Sequence, residues 1–125
     1  MMTTQVMQGR TPAAISVPVP EYITPIQLID RLLRKARSRR YALSFYPYAA
    51  GVTERLHTID EIEHDLLNLR AEVSDRAKVV GCLRLENAFA EICPSGLSKQ
   101  RNRYMADLTD YMAACRIWLK WRKQS

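Results

Sequence analysis

Residues 31–40 carry Arg31, Arg34, Lys35, Arg37, Arg39 and Arg40 with no acid among them, a local charge of +6. Five of the six are Arg, whose guanidinium grips phosphate oxygens through two parallel N–H bonds, so the segment suits a polyanion. Tyr41, Phe45, Tyr46 and Tyr48 follow directly. An exposed aromatic beside arginines can stack on an unpaired base, which favours RNA or single-stranded DNA over duplex DNA. A second basic group, Lys120, Trp121, Arg122 and Lys123, lies at residues 120–123. Trp118 continues an apolar stripe, whereas Trp121 falls off it among cations. It is either a contact for a base or another subunit, or a cover over the end of a bundle.

Charge is sorted along the chain. Residues 54–75 hold Glu54, Asp60, Glu61, Glu63, Asp65, Glu72 and Asp75 against Arg55 and Arg70, a local −5, and residues 99–123 return to +5. The arginines of 31–40 can therefore meet the acidic segment, within the chain or across a subunit interface, and cations near a helix C-terminus also complement the helix dipole. A membrane surface or another anion is the remaining alternative. No helix-turn-helix, RNP or KH pattern accompanies the charge, so the signal is electrostatic.

Other chemistry finds little support. His57 and His64 are the two histidines, and Glu61 and His64 have the E-x-x-H spacing of di-iron bundles. Such a site needs a second motif, which the chain lacks, so the spacing reads as a solvated helix face. Cys82, Cys93 and Cys115 show no C-x-x-C spacing. No disulfide is expected, and a reducing, cytoplasmic setting fits best. Cys82 and Cys115 lie among apolar residues at helical spacing and read as small buried hydrophobes. Cys82 or Cys93 with a distant His would make a nucleophile pair, but nothing local supports one. The four glycines, Gly9, Gly51, Gly81 and Gly96, are isolated, so no phosphate-cradling loop is present. No catalytic residue, metal, cofactor or small-molecule substrate is expected.

The elements that would position the basic groups are helical. With 125 residues, 47% hydrophobic and 26% charged, the chain has the make-up of an ordinary globular domain with one core. Four of its six prolines lie at or before position 25, leaving the rest poor in turn-formers and unlike a sandwich or barrel. No apolar run approaches the ~18 residues of a membrane span, and Arg10, Pro12, Pro18 and Pro20 interrupt any export signal. Residues 1–23 lack a helical period and are assigned to an extended arm, frayed or docked on a neighbouring subunit through Ile15, Val17, Val19 and Tyr22. Residues 24–125 are assigned to one helical-bundle domain.

Thr24-Pro25 opens a first helix, with Ile26, Ile29, Leu33 and Ala36 on one face, running to about Tyr46 before Pro47. Thr58-Ile59-Asp60-Glu61 has the form of a capping box. The seam Ile59, Ile62, Leu66, Leu69, Val73, Arg76, Val80, Leu83, Asn87 and Ala90 then follows at three-four spacing. This helix either runs unbroken from 58 to 92, about 50 Å, or stops where Ser74-Asp75 caps another. Gly81 within the pattern points to close helix packing or to a break. After Pro94-Ser95-Gly96 a last helix carries Tyr104, Leu108, Tyr111, Cys115 and Trp118, widened by Met105, Met112 and Leu119. A short link makes the neighbours antiparallel. The expected fold is all-α, a three- to four-helix bundle dominated by an antiparallel helical hairpin.

Leu83-Arg84-Leu85, then Leu97-Ser98 opening a helix that closes with Trp118-Leu119-Lys120, faintly resembles the four-helix accessory proteins of diversity-generating retroelements. The likeness covers about a third of the chain. The middle helices are shorter than that family's, and no function is carried over. Two readings follow from the residues: a non-catalytic accessory protein that binds RNA or single-stranded DNA, or an assembly subunit that oligomerises or docks a protein partner through its hairpin and arm.

Overall fold

The computed structural model describes residues 23–94 and 98–124, with side chains as far as Trp121. Five helices and no strand are found among them: α1 Pro25–Leu43, α2 Val52–Arg70, α3 Asp75–Arg84, α4 Glu86–Glu91 and α5 Ser98–Gln124. Residues 1–22 of the assigned arm lie outside this set. Ile23, also assigned to the arm, is buried in the core.

The first boundary follows the sequence. Thr24 Oγ1 accepts from the Gln27 N–H at 3.1 Å, and Gln27 Oε1 accepts from the Thr24 N–H at 2.9 Å, a closed capping box ahead of Pro25. The helix ends at Leu43, short of Tyr46, because beyond Ser44 the N–H groups of Phe45 and Tyr46 bond the carbonyls three residues back, Ala42 and Leu43, and the Ser44 hydroxyl bonds the Tyr41 carbonyl at 2.6 Å. The second start differs more. Gly51, at φ 78°, uses the left-handed conformation open to glycine to turn the chain into α2, which begins at buried Val52. Thr58 is thus inside the helix, where its hydroxyl bonds the Glu54 carbonyl at 3.1 Å and caps nothing.

The long middle helix does not form. Ser74 Oγ accepts from the Ala77 N–H at 3.1 Å and opens α3 as a separate helix. Buried Lys78 reaches back to the Glu72 carbonyl, satisfying an acceptor just past the end of α2. This break resets the helical phase: Val73, Arg76, Asn87 and Ala90 of the expected seam are exposed, and Val79, Cys82, Leu85 and Phe89 are buried instead. Leu85 interrupts the rod between α3 and α4.

The packing contains two antiparallel hairpins. Asp30 meets Arg70 while Arg37 and Arg40 meet Glu63, so α1 and α2 run in opposite directions. Tyr104 bonds Phe89, and Arg116 pairs with Glu86, so α5 runs against the α3–α4 rod. The hairpins share one core in which Leu28, Ile29, Leu32, Ile59, Ile62, Leu66, Phe89 and Met112 are fully buried. Each such large apolar side chain contributes roughly 1.5–3 kcal/mol of burial. Among the described residues no helix is long and apolar enough to cross a membrane.

Candidate functional site

A helix turns about 100° per residue, so six cations in ten residues cannot share one face. The core side of α1 is taken by Leu28, Ile29, Leu32 and Ala36. Asp30, Arg37 and Arg40 face α2, while Arg31, Arg34, Lys35, Ser38 and Ala42 face α5.

The α2 edge neutralises its cations. Arg37 Nε donates to Glu63 Oε2 at 2.8 Å, and Arg40 reaches both Glu63 and Asp60. Arg70 Nε donates to Asp30 Oδ1 at 2.9 Å, and this bond holds the Asp30 carboxyl below its ordinary value. Arg37 and Arg40, expected to bind nucleic acid, are therefore occupied within the chain by the acidic segment.

The α5 edge is different. Between α1 and α5 lies a trough of about 430 Å³ where, among the described residues, Arg31, Arg34, Lys35, Arg39 and Arg103 face a single acid, Asp107. Lys35 is the fixed member: its side chain is only 8% exposed, its Nζ is 3.7 Å from Asp107 Oδ2, and it lies 4.2 Å from the Tyr104 ring centre. Burial lowers its pKa, and Asp107 partly opposes the shift. The Tyr104 hydroxyl donates to the Phe89 carbonyl at 2.8 Å, anchoring the ring beneath the ammonium. Burial also raises the Tyr104 pKa, keeping that hydroxyl protonated. Arg39 Nε donates to the Ile92 carbonyl at 2.7 Å, and among the described residues its guanidinium forms no ion pair. Burial, then repulsion from Arg55, disfavours its charge. Among the described residues Arg31, Arg34 and Arg103 form no ion pair.

A second cleft, of about 510 Å³, continues from the first and shares Arg39, Ala42, Pro94 and Gln100 with it. Its other walls include Tyr41, Phe45, Tyr46 and Arg55. Tyr41 and Phe45 pack edge to face with ring centres 5.1 Å apart, and both remain exposed, as do Tyr46 and Tyr48. The trough thus runs from a cationic half into an aromatic half.

The remaining expected residues lie elsewhere. Lys120 and Trp121 are exposed near the far end of α5, with Lys120 about 20 Å along the helix from Asp107. They do not join the trough. Arg122 and Lys123 lie beyond the described side chains. Arg55, Arg103, Asp107 and Tyr111 join the site although the sequence did not single them out for it. The four-residue steps from Arg103 to Asp107 to Tyr111, opposite Arg31, Lys35 and Ser38 at steps of four and three on α1, are the signal that would have found the α5 wall.

His57 and His64 are exposed on α2, with His57 Nε2 3.4 Å from Glu61 and His64 Nε2 3.2 Å from Asn68. The three cysteines are buried and unbridged, and hydrogen bonding to Cys115, together with burial, pushes the Cys82 thiol up. No described cavity brings either histidine to a cysteine. Among the described residues no group of three or more His, Cys, Asp or Glu is placed to hold a metal ion. No family model, curated protein or solved structure matches this chain.

Proposed function

We propose that the protein binds single-stranded nucleic acid, RNA or DNA, along the trough between α1 and α5, as a non-catalytic accessory subunit. The observation that carries this is the continuity of the two clefts, in which, among the described residues, six cations stand against one acid beside three exposed aromatic rings. Arg31, Arg34 and Arg103 supply forked donors for phosphate oxygens, and Arg39 adds its guanidinium beside them. Tyr41, Phe45 and Tyr46 offer faces for unpaired bases, each stacked base contributing about 1–3 kcal/mol. A duplex hides those faces, so it gains only the electrostatic part. The unbridged thiols accord with a reducing, cytoplasmic setting.

Fluorescence anisotropy with a single strand and its own duplex tests the proposal. The strand should bind more tightly, and Arg31→Glu, Arg34→Glu and Arg103→Glu together should abolish binding while circular dichroism stays unchanged. Retention by the triple variant, or equal affinity for the duplex, would overturn it.

One observation favours an assembly role as well. Ile26, Leu67, Val73 and Trp121 are each exposed and lie near the start of α1 or the ends of α2 and α5. Light scattering across a concentration series, with Leu67→Asp and Val73→Asp as variants, tests whether these residues join two copies. A monomer at every concentration would discard it.

A further inference from the structure

Charge is spread unevenly along the trough. A nucleic-acid strand carries one negative charge per internal phosphate, so a groove that tracks it needs cations at regular intervals. Here Arg31, Arg34, Lys35, Arg39 and Arg103 surround one cavity, and the aromatic cleft adds only Arg55. The cavity falls within the roughly 300–1,000 Å³ of small-ligand sites. Asp107 is the one acid among its described lining residues and is already engaged by Lys35. Five cations against one described acid leave a local surplus of about four, and a phosphomonoester offsets up to about twice as much of it as one internal phosphate does. A phosphomonoester carries about −1.5 to −2 at neutral pH and three acceptor oxygens.

We infer that the cationic half of the trough receives a terminal phosphomonoester of the bound strand, with the neighbouring bases lying over Tyr41, Phe45 and Tyr46. This rests on the single-strand reading above. Arg34 and Arg103, exposed on opposite walls, close on the phosphate oxygens as forks. Lys35 is positioned at the floor by Asp107 and the Tyr104 ring, and Ser38 offers a further hydroxyl.

The test uses the full chain and one short strand of roughly eight nucleotides, made with a 5′-phosphate, with a 3′-phosphate, or with hydroxyls at both ends. At about pH 7.5 one phosphorylated form should bind at least about tenfold more tightly than the hydroxyl form, and the arms identify the end recognised. Because the second phosphate pKa is near 6, the gain should shrink at about pH 5.5. Arg34→Ala and Arg103→Ala should each erase most of the gain; both side chains are exposed, so circular dichroism should confirm an intact fold. Equal affinity for all three strands would overturn the terminal-phosphate site and leave single-strand binding standing. Failure of every strand to bind would overturn both.

Discussion

Lys35 illustrates how one side chain changes meaning between a linear and a folded chain. In sequence it is one of six cations; in the fold its ammonium is held by Asp107 and the Tyr104 ring, and burial disfavours its charge. Such a group gives a binding site a fixed point, whereas Arg31, Arg34 and Arg103 supply the reach. Asp30 shows the opposite electrostatic sense. Its carboxyl, lowered from 3.8 mainly by the hydrogen bond from Arg70, favours the folded state above that pH, and the contribution is lost as pH falls through the lower folded value. Denaturant titrations at stepped acid pH should therefore show a shallower loss of stability in Asp30→Asn than in the unaltered chain. Matching curves would mean that the Asp30 carboxyl titrates alike in the folded and unfolded chains. Neither residue's role was legible in the sequence, because each depends on a partner tens of positions away.

The helices themselves were more legible than their limits. Thr24-Pro25 and Ser74-Asp75 announce starts through local chemistry, a side-chain oxygen accepting from the next turn, and both are used. Thr58-Glu61 has the same form and is not used, since the turn at Gly51 starts α2 earlier and buries Val52. Gly81 is the clearest case of an element shaped by its neighbour. A Cβ there would run into the Leu69 δ carbons and lie 2.9 Å from Leu69 Cγ, so α2 and α3 approach through the missing side chain. Gly81→Ala should gain up to about 1 kcal/mol of helix propensity but lose more to overpacking, which typically costs about 1–3 kcal/mol. The expected net result is a lower thermal midpoint, partly restored by adding Leu69→Ala. A midpoint that rises in Gly81→Ala would refute the close approach.

At the scale of the whole molecule, the net charge of +6 resolves into an internally neutralised edge and an open trough. If the trough alone meets the nucleic acid through about three or four phosphate contacts, the logarithm of affinity should fall with the logarithm of salt concentration with a slope of about −2 to −3. Arg103→Ala should reduce that slope by about 0.7, whereas Lys120→Glu, at the far end of α5, should leave it unaltered. An equal change from both variants would place the contact along all of α5. The sequence alone determined that the chain is helical, that its first helix starts at Thr24-Pro25, and that its charge is sorted into basic and acidic segments. These follow from spacing and capping, which are local. Only the tertiary structure decided that Arg37 and Arg40 are spent on Asp60 and Glu63, that Arg103 joins Arg31 and Arg34, and that Lys120 and Trp121 stand apart. The physical reason is the helical turn of about 100° per residue: it spreads a continuous run of charge over several faces, and packing assigns each face its partner.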